Sequence, residues 1–122
     1  MTYPKYINEL CQVTYDMWNK GWDEYNGGNI SYRLTKEEAD KVEADLSGTL
    51  YTYYSENRKE VEVLDVPEHV QGEYLLITAS GSHFRTLHSQ PHVDTGIIQL
   101  TPKGYQVVAG FVTGKRPTSE IF

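Results

Sequence analysis

Three short runs in this 122-residue chain carry residue types that can hold an anion or move a proton. The first lies within Gly21 to Leu34, which reads Gly-Trp-Asp-Glu-Tyr-Asn-Gly-Gly-Asn-Ile-Ser-Tyr-Arg-Leu. Gly27 and Gly28, flanked by Asn26 and Asn29, let backbone amides converge, because neither glycine has a Cβ to block an approaching ligand. Asparagine tolerates left-handed backbone and brings an amide that donates to an oxyanion. Such a turn either cradles an anion without any cationic side chain or serves as a plain glycine-rich connection. The second run is Ala79-Ser80-Gly81-Ser82, fed by the most apolar strand-like stretch, Glu73 to Thr78, and followed by a short helix expected over His83 to Leu87. A strand, small residues and a helix start aim amides and hydroxyls at an anion, although strand-to-helix turns use small residues in any case. Two neighbouring strands would bring both turns to one end of a sheet. The third run is Pro117-Thr118-Ser119-Glu120. Proline fixes the entry to a helix, a hydroxyl caps it and an acid favours its first turn, so Glu120 is locally either a helix-cap acid or a catalyst.

The remaining reactive side chains read as structural. His88 and His92 have the i, i+4 spacing of paired metal ligands, but Pro91 between them breaks the helix that this spacing needs. No third ligand is placed, so these two, with His69 and His83, are read as surface histidines. Cys11 lies on an apolar helical stripe with no activating cation or base beside it, and reads as a buried structural thiol.

The elements that would position these runs follow from periodicity. Ile7, Leu10, Cys11, Thr14 and Trp18 recur at helical spacing, which predicts a helix over residues 5 to 20, capped near Gly21 with Trp22 folding back. Ile30, Tyr32 and Leu34 alternate with Ser31 and Arg33, a half-buried strand over 29 to 34. Thr35 and Glu38 form a capping box for a short helix, and residues 35 to 48 read as a solvated helical rim. Leu50 to Ser55 and Val61 to Val66 have strand-like composition, with their pairing left open, and Pro67 and Gly72 bracket a turn. Thr95 to Leu100 and Tyr105 to Val108 flank Thr101-Pro102-Lys103-Gly104, a hairpin with a type I turn and a following bulge; Gly110 to Thr113 read as its continuation.

Composition bounds the functional class. The chain is long enough for one domain, and residues 1–122 are read as one, with a net charge of −6. No basic cluster exceeds Lys115-Arg116, so a nucleic-acid partner is not expected. No apolar run has transmembrane length and the N-terminus lacks a signal-peptide core, so no membrane partner is expected. A single cysteine excludes an internal disulfide and fits a cytoplasmic location. A chain that stops as a helix begins reads as the front part of something longer.

Taken in order, Asp16-Met17-Trp18, Lys20-Gly21-Trp22-Asp23-Glu24, Asn26-Gly27-Gly28-Asn29, Thr78-Ala79-Ser80-Gly81 and Pro117-Thr118-Ser119-Glu120 resemble the N-terminal part of the L-rhamnulose-1-phosphate aldolases. These form a branch of the class II aldolase and adducin-head family. The resemblance spans the whole chain but only about the first half of such an enzyme. Ala79 departs from the family's usual glycine, and Thr35 to Gly72 match poorly. The resemblance implies an α/β fold of α+β type: a layered, largely antiparallel central sheet flanked by helices, here as a half-domain. It implies retro-aldol cleavage of L-rhamnulose 1-phosphate to dihydroxyacetone phosphate and L-lactaldehyde. A zinc ion held by three histidines would serve as Lewis acid. By position, Glu120 would be the catalytic acid/base, while Asn26, Gly28, Asn29, Ser80, Gly81, Thr118 and Ser119 would grip phosphate and substrate. The family's zinc histidines follow the glutamate, so no catalytic zinc and no activity are expected of this stretch alone, and uncovered sheet edges imply a homo-oligomer. The same fold without the chemistry, as in an adducin-head-like scaffold, and an aldolase or epimerase for another sugar phosphate are the alternatives.

Overall fold

The computed structural model describes residues 3–19, 31–56, 58, 60–62, 66–78 and 91–110. In chain order these form α1 (Lys5–Asn19), β1 (Ser31–Arg33), α2 (Lys36–Asp40), α3 (Val42–Leu46) and β2 (Glu60–Glu62). A 3-10 turn (Glu68–Val70), β3 (Tyr74–Thr78), α4 (Pro91–Asp94), β4 (Thr95–Thr101) and β5 (Gly104–Gly110) follow. The strands make one five-stranded sheet in the order β1-β3-β4-β5-β2, and every neighbouring pair is antiparallel. The expected α+β layering is therefore present. Among the described residues no helix is long and apolar enough to cross a membrane.

The central strands are apolar on successive residues because both of their faces are covered. Leu76 of β3, Ile97 of β4 and Val108 and Ala109 of β5 join Tyr6, Ile7 and Leu10 of α1 and Val42 and Leu46 of α3 in one cluster. Ile77, Ile98, Leu100 and Tyr105 form a second cluster with Val66, with Leu75, Val107, Val61 and Val70 packed against it. Ile7, Leu76, Ile97, Ile98 and Val108 are fully buried, each contributing about 1.5–3 kcal/mol relative to exposure. The predicted helix holds over Lys5–Asn19, with Ile7, Leu10 and Thr14 on its buried stripe; the expected cap at Gly21 and Trp22 lies outside the described residues.

Between β1 and β2 the expected rim is only partly a rim. The capping box forms as read: Thr35 Oγ1 accepts from the Glu38 amide at 3.2 Å, and Glu38 Oε1 accepts from the Thr35 amide at 2.8 Å. The same Glu38 oxygen accepts from the Tyr32 hydroxyl at 2.8 Å, and the Tyr32 ring stacks on Tyr6 of α1. Burial alone would raise the Glu38 carboxyl, but the hydrogen bonds from Thr35 and Tyr32 outweigh it and hold the group below its ordinary value. After Lys41, however, the chain starts a second helix whose Val42 and Leu46 are 2% exposed. Their i, i+4 spacing puts both on one face, which turns inward.

Tyr53, from the segment read as Leu50 to Ser55, and β2, which overlaps the start of the one read as Val61 to Val66, lie along the same side of β5. Tyr53 bridges Ala109, and Glu60, Val61 and Glu62 pair with Gln106, Tyr105 and Gly104. Seven steps along the outer segment, from Tyr53 to Glu60, thus match three along β5, from Ala109 to Gln106. The hairpin stands as predicted, but its ladder closes directly at Thr101–Gly104, and the bulge sits deeper, between Ile97 and Ile98. There β5 spends an extra residue, so Val108 and Ala109 both enter the α1-side cluster. Gly104 is demanded by proximity, not by backbone angle: a Cβ there would land on the Val61 carbonyl oxygen of β2. Gly104→Ala should cost about 2 kcal/mol through forced separation of β2 and β5. Urea unfolding measures this, and an unchanged midpoint would contradict the close approach.

Candidate functional site

The register brings four strand ends to one edge of the sheet. Ser31, where β1 begins, is opposite Ile77, one residue before the end of β3. Thr78, where β3 ends, is opposite Thr95, where β4 begins, and Gly96 is opposite Gly110, where β5 ends. In sequence, Asn26–Asn29 precede β1, Ser80–Gly81 follow β3 and Thr118–Glu120 follow β5. Asn26, Gly28, Asn29, Ser80, Gly81, Thr118, Ser119 and Glu120 themselves lie outside the described residues, as does the helix expected over His83 to Leu87. What is described is the frame of strand ends that those runs precede or follow in sequence.

That frame is dry and tightly bonded. Thr78 and Thr95 are fully buried, and Asp94 is 5% exposed. The Thr95 hydroxyl donates to the Pro91 carbonyl at 2.6 Å and lies 2.5 Å from the Tyr51 hydroxyl. A hydroxyl has one proton, so with Thr95 donating to Pro91, Tyr51 must donate to Thr95. Burial raises the Tyr51 phenol well above its ordinary value, which keeps that proton in place. Gly110 has φ +84°, and a Cβ on it would meet Gly96 Cα and the Thr95 oxygen at 2.6 Å each and the Tyr51 ring at 3.2 Å. Its amide donates to the Thr52 carbonyl at 3.0 Å. Sequence reading passed over Tyr51, Thr95 and the Gly96–Gly110 pair. Tyr51 was hidden in a tyrosine-rich run, and the only cue was two glycines placed where paired strands end.

The histidines divide. His69 is exposed on the 3-10 turn, as expected of a surface residue. That turn is at the opposite end of the sheet, where the Gly72 amide donates to the Leu100 carbonyl at 2.8 Å. His92 is not a surface residue: it is half-buried in α4 at the near edge, with Nδ1 buried and without a hydrogen-bond partner. α4 starts at Pro91, where the missing N–H of a proline suits the first helical position. His83 and His88 lie outside the described residues. No group of three His, Cys, Asp or Glu side chains able to hold a metal occurs among the described residues, so they offer no ligand set for zinc. At the far end, a surface cleft of about 580 Å³ is lined by Arg33, Thr35, Gln71, Glu73 and Tyr74, but Arg33 already faces the Glu73 carboxylate at 4.0 Å.

Cys11 is a structural thiol, as its place on the helix stripe implied. It is partly buried, and burial pushes its thiol up to about 11 from 9.0. The protonated form is thus favoured by folding: this contribution is complete below about pH 9 and is lost between pH 9 and 11. At pH 8 iodoacetamide should alkylate Cys11 about 100-fold more slowly than a free cysteine peptide, the rate rising with pH towards 11. Labelling followed by mass spectrometry checks this, and fast modification at pH 8 would refute it.

Comparison with known proteins bears on the same chain. A family model described as Class II Aldolase and Adducin N-terminal domain matches residues 8–122. Rhamnulose-1-phosphate aldolase of Yersinia pestis (strain Pestoides F) is 36% identical over 118 residues, covering 95% of this chain and 40% of that protein. The same-named protein of Mannheimia succiniciproducens is 32% identical over 118 residues, with the same coverage of 95% and 40%. Among solved structures, a sugar-phosphate aldolase from Thermotoga maritima aligns with a TM-score of 0.58 at 28% identity, covering 94% of this chain and 42% of that one. The chain spans about 40% of the length of the curated relatives it matches.

Proposed function

The chain belongs to the class II aldolase and adducin N-terminal domain family, and from that premise we propose that it is the substrate-gripping part of a rhamnulose-1-phosphate aldolase. The reaction is retro-aldol cleavage of L-rhamnulose 1-phosphate to dihydroxyacetone phosphate and L-lactaldehyde. The observation that carries this reading is the common edge at which β1 begins and β3 and β5 end. Neighbouring strands are about 4.8 Å apart, so β1 to β5 spans about 14 Å there. Asn29 precedes Ser31 by two residues and Ser80 follows Thr78 by two, giving each run a reach of about 7 Å from neighbouring strands. Glu120, ten residues past Gly110, has ample reach.

In this proposal Asn26, Gly28, Asn29, Ser80 and Gly81 hold the phosphate and the adjoining oxygens with amides and hydroxyls, helped by Thr118 and Ser119. Glu120 hands a proton to the carbon freed when the carbon–carbon bond breaks, and takes one from it in the reverse direction. Zinc belongs to the proposal as the Lewis acid of the whole protein. Among the described residues no group of three candidate ligands for it occurs. We place the protein in the cytoplasm as a homo-oligomer; β1 and β2 are outermost in the described sheet, and Val13 is 48% exposed.

In the whole protein, Glu120→Gln should lower kcat by about 10²–10⁴-fold while leaving KM for the sugar phosphate nearly unchanged. A coupled assay of dihydroxyacetone phosphate release reads both, and near-normal turnover would remove Glu120 from the chemistry. Retention of phosphate binding with no cleavage of any sugar phosphate by the wild type would favour the scaffold alternative. The 122-residue stretch alone should show no zinc-dependent turnover; turnover in the same assay would overturn that.

A further inference from the structure

We propose that Arg58, with the Tyr53 hydroxyl beside it, forms a binding site for a small oxyanion, a carboxylate or a phosphate, on the outer flank of β5. The site goes beyond the aldolase reading and does not depend on it. Residues 52 to 54 run bonded to the end of β5: the Tyr54 amide donates to the Val108 carbonyl at 2.8 Å, and the Gly110 amide donates to the Thr52 carbonyl at 3.0 Å. Arg58 folds back onto this segment. Its Nε–H donates to the Tyr54 carbonyl at 2.6 Å and its Nη2 to the Tyr53 hydroxyl at 2.9 Å. The guanidinium carbon lies 5.5 Å from the centre of the Tyr53 ring.

Nε and Nη2 are the donors of one edge of the guanidinium, and both are engaged by the protein. The other edge, made by Nη1 and the outer hydrogen of Nη2, keeps a parallel pair of N–H bonds. That fork matches two oxygens of a carboxylate or a phosphate. Tyr53 Oη accepts from Nη2, which leaves its own proton for the same anion. The charge setting favours an anion from outside the described residues. Acids outnumber Lys and Arg by 17 to 11, yet Arg58 faces no carboxylate among the described residues. Lys5, Arg33 and Lys41 each face one within 4.0 Å. Glu56 and Glu60, two residues away on either side, are exposed and form no ion pair with it. Arg58 is also the one described Lys or Arg side chain that is not exposed. Its two bonds already fix the side chain, so docking on the free edge costs little further rotamer entropy, and partial burial weakens screening by salt. A purely structural arginine would be complete with the engaged edge alone.

The test uses the whole protein with its arginines isotopically labelled at nitrogen, the Nε–H resonance of Arg58 being assigned by its loss in Arg58→Lys. Potassium acetate, inorganic phosphate and potassium chloride are titrated separately at equal ionic strength. Acetate or phosphate should shift the Arg58 resonance in a saturable way, with a Kd of about 1–10 mM, and chloride should not. A response to one of the two and not the other names the class of anion that the site takes. Arg58→Lys keeps the charge but loses the fork, and calorimetry should show binding about tenfold weaker. Tyr53→Phe should raise the Kd read from the Arg58 resonance by about threefold. An Arg58 resonance that moves no more with acetate or phosphate than with chloride would overturn the proposal. Lowered Tm in both variants with the anion Kd unchanged would overturn it as well, leaving Arg58 a structural side chain. So would an Arg58→Gln protein that falls to a smaller oligomer while the wild type binds neither anion, because an acid of a neighbouring copy would then hold the fork. If Arg58→Lys does not fold, Arg58→Gln supplies the assignment and Tyr53→Phe carries the comparison.

Discussion

Where β5 leaves β4, nothing larger than glycine fits. Gly110 turns through positive φ with Gly96 and the Thr95 carbonyl on one side and the Tyr51 ring on the other. That closeness lets the last rungs of the β4–β5 ladder form beside the Thr78–Thr95 and Ser31–Ile77 rungs, so that four strand ends stand in one line. A side chain at Gly110 would push β5 outward and spread the line. The apolar clusters on the two faces hold the sheet together, but the glycine contact sets the spacing of the strand ends beside it.

The two parts of the molecule divide the work accordingly. The faces are filled mainly by Ile, Leu and Val, with Tyr6, Tyr51 and Tyr105 among them, and such packing tolerates exchange of similar volume. The edge is made of hydroxyls, glycine backbone and a short helix, in which each polar group of the Tyr51–Thr95–Pro91 chain has a defined partner. Capping-box residues Thr35 and Glu38 fasten the outer end of β1 through Tyr32.

Local grammar made much of this legible. Thr35 and Glu38 announce a helix start by their spacing, and the apolar stripe from Ile7 to Thr14 announces α1, because both depend only on near neighbours in the chain. The Pro102–Lys103 turn was visible for the same reason. The inward turn of Val42 and Leu46 was masked by the charges around them, which dominate an average but not a face. The bulge at Val108 and the steric demand at Gly104 were invisible, since each is decided by a strand distant in sequence. Of the candidate site, the adjacency of β1 and β3 was readable from the sequence, while the three runs themselves lie outside the described residues. The hydroxyl chain at the ends of β4 and β5 was not readable, because Tyr51 and Thr95 are 44 residues apart.

The outer segment along β5 has one more consequence. It pairs at Tyr53 and again at Glu60, with four residues more than the opposite strand needs between those points. Arg58 holds the Tyr53 end of that excess, donating to the Tyr54 carbonyl at 2.6 Å and to the Tyr53 hydroxyl at 2.9 Å. A change of length between Arg58 and Glu60 would leave both contacts with β5 in place, since loop entropy changes only slowly with length. That stretch is therefore a natural place for related sequences to differ in size, and a practical one for grafting a tag or a reporter peptide without disturbing the line of strand ends.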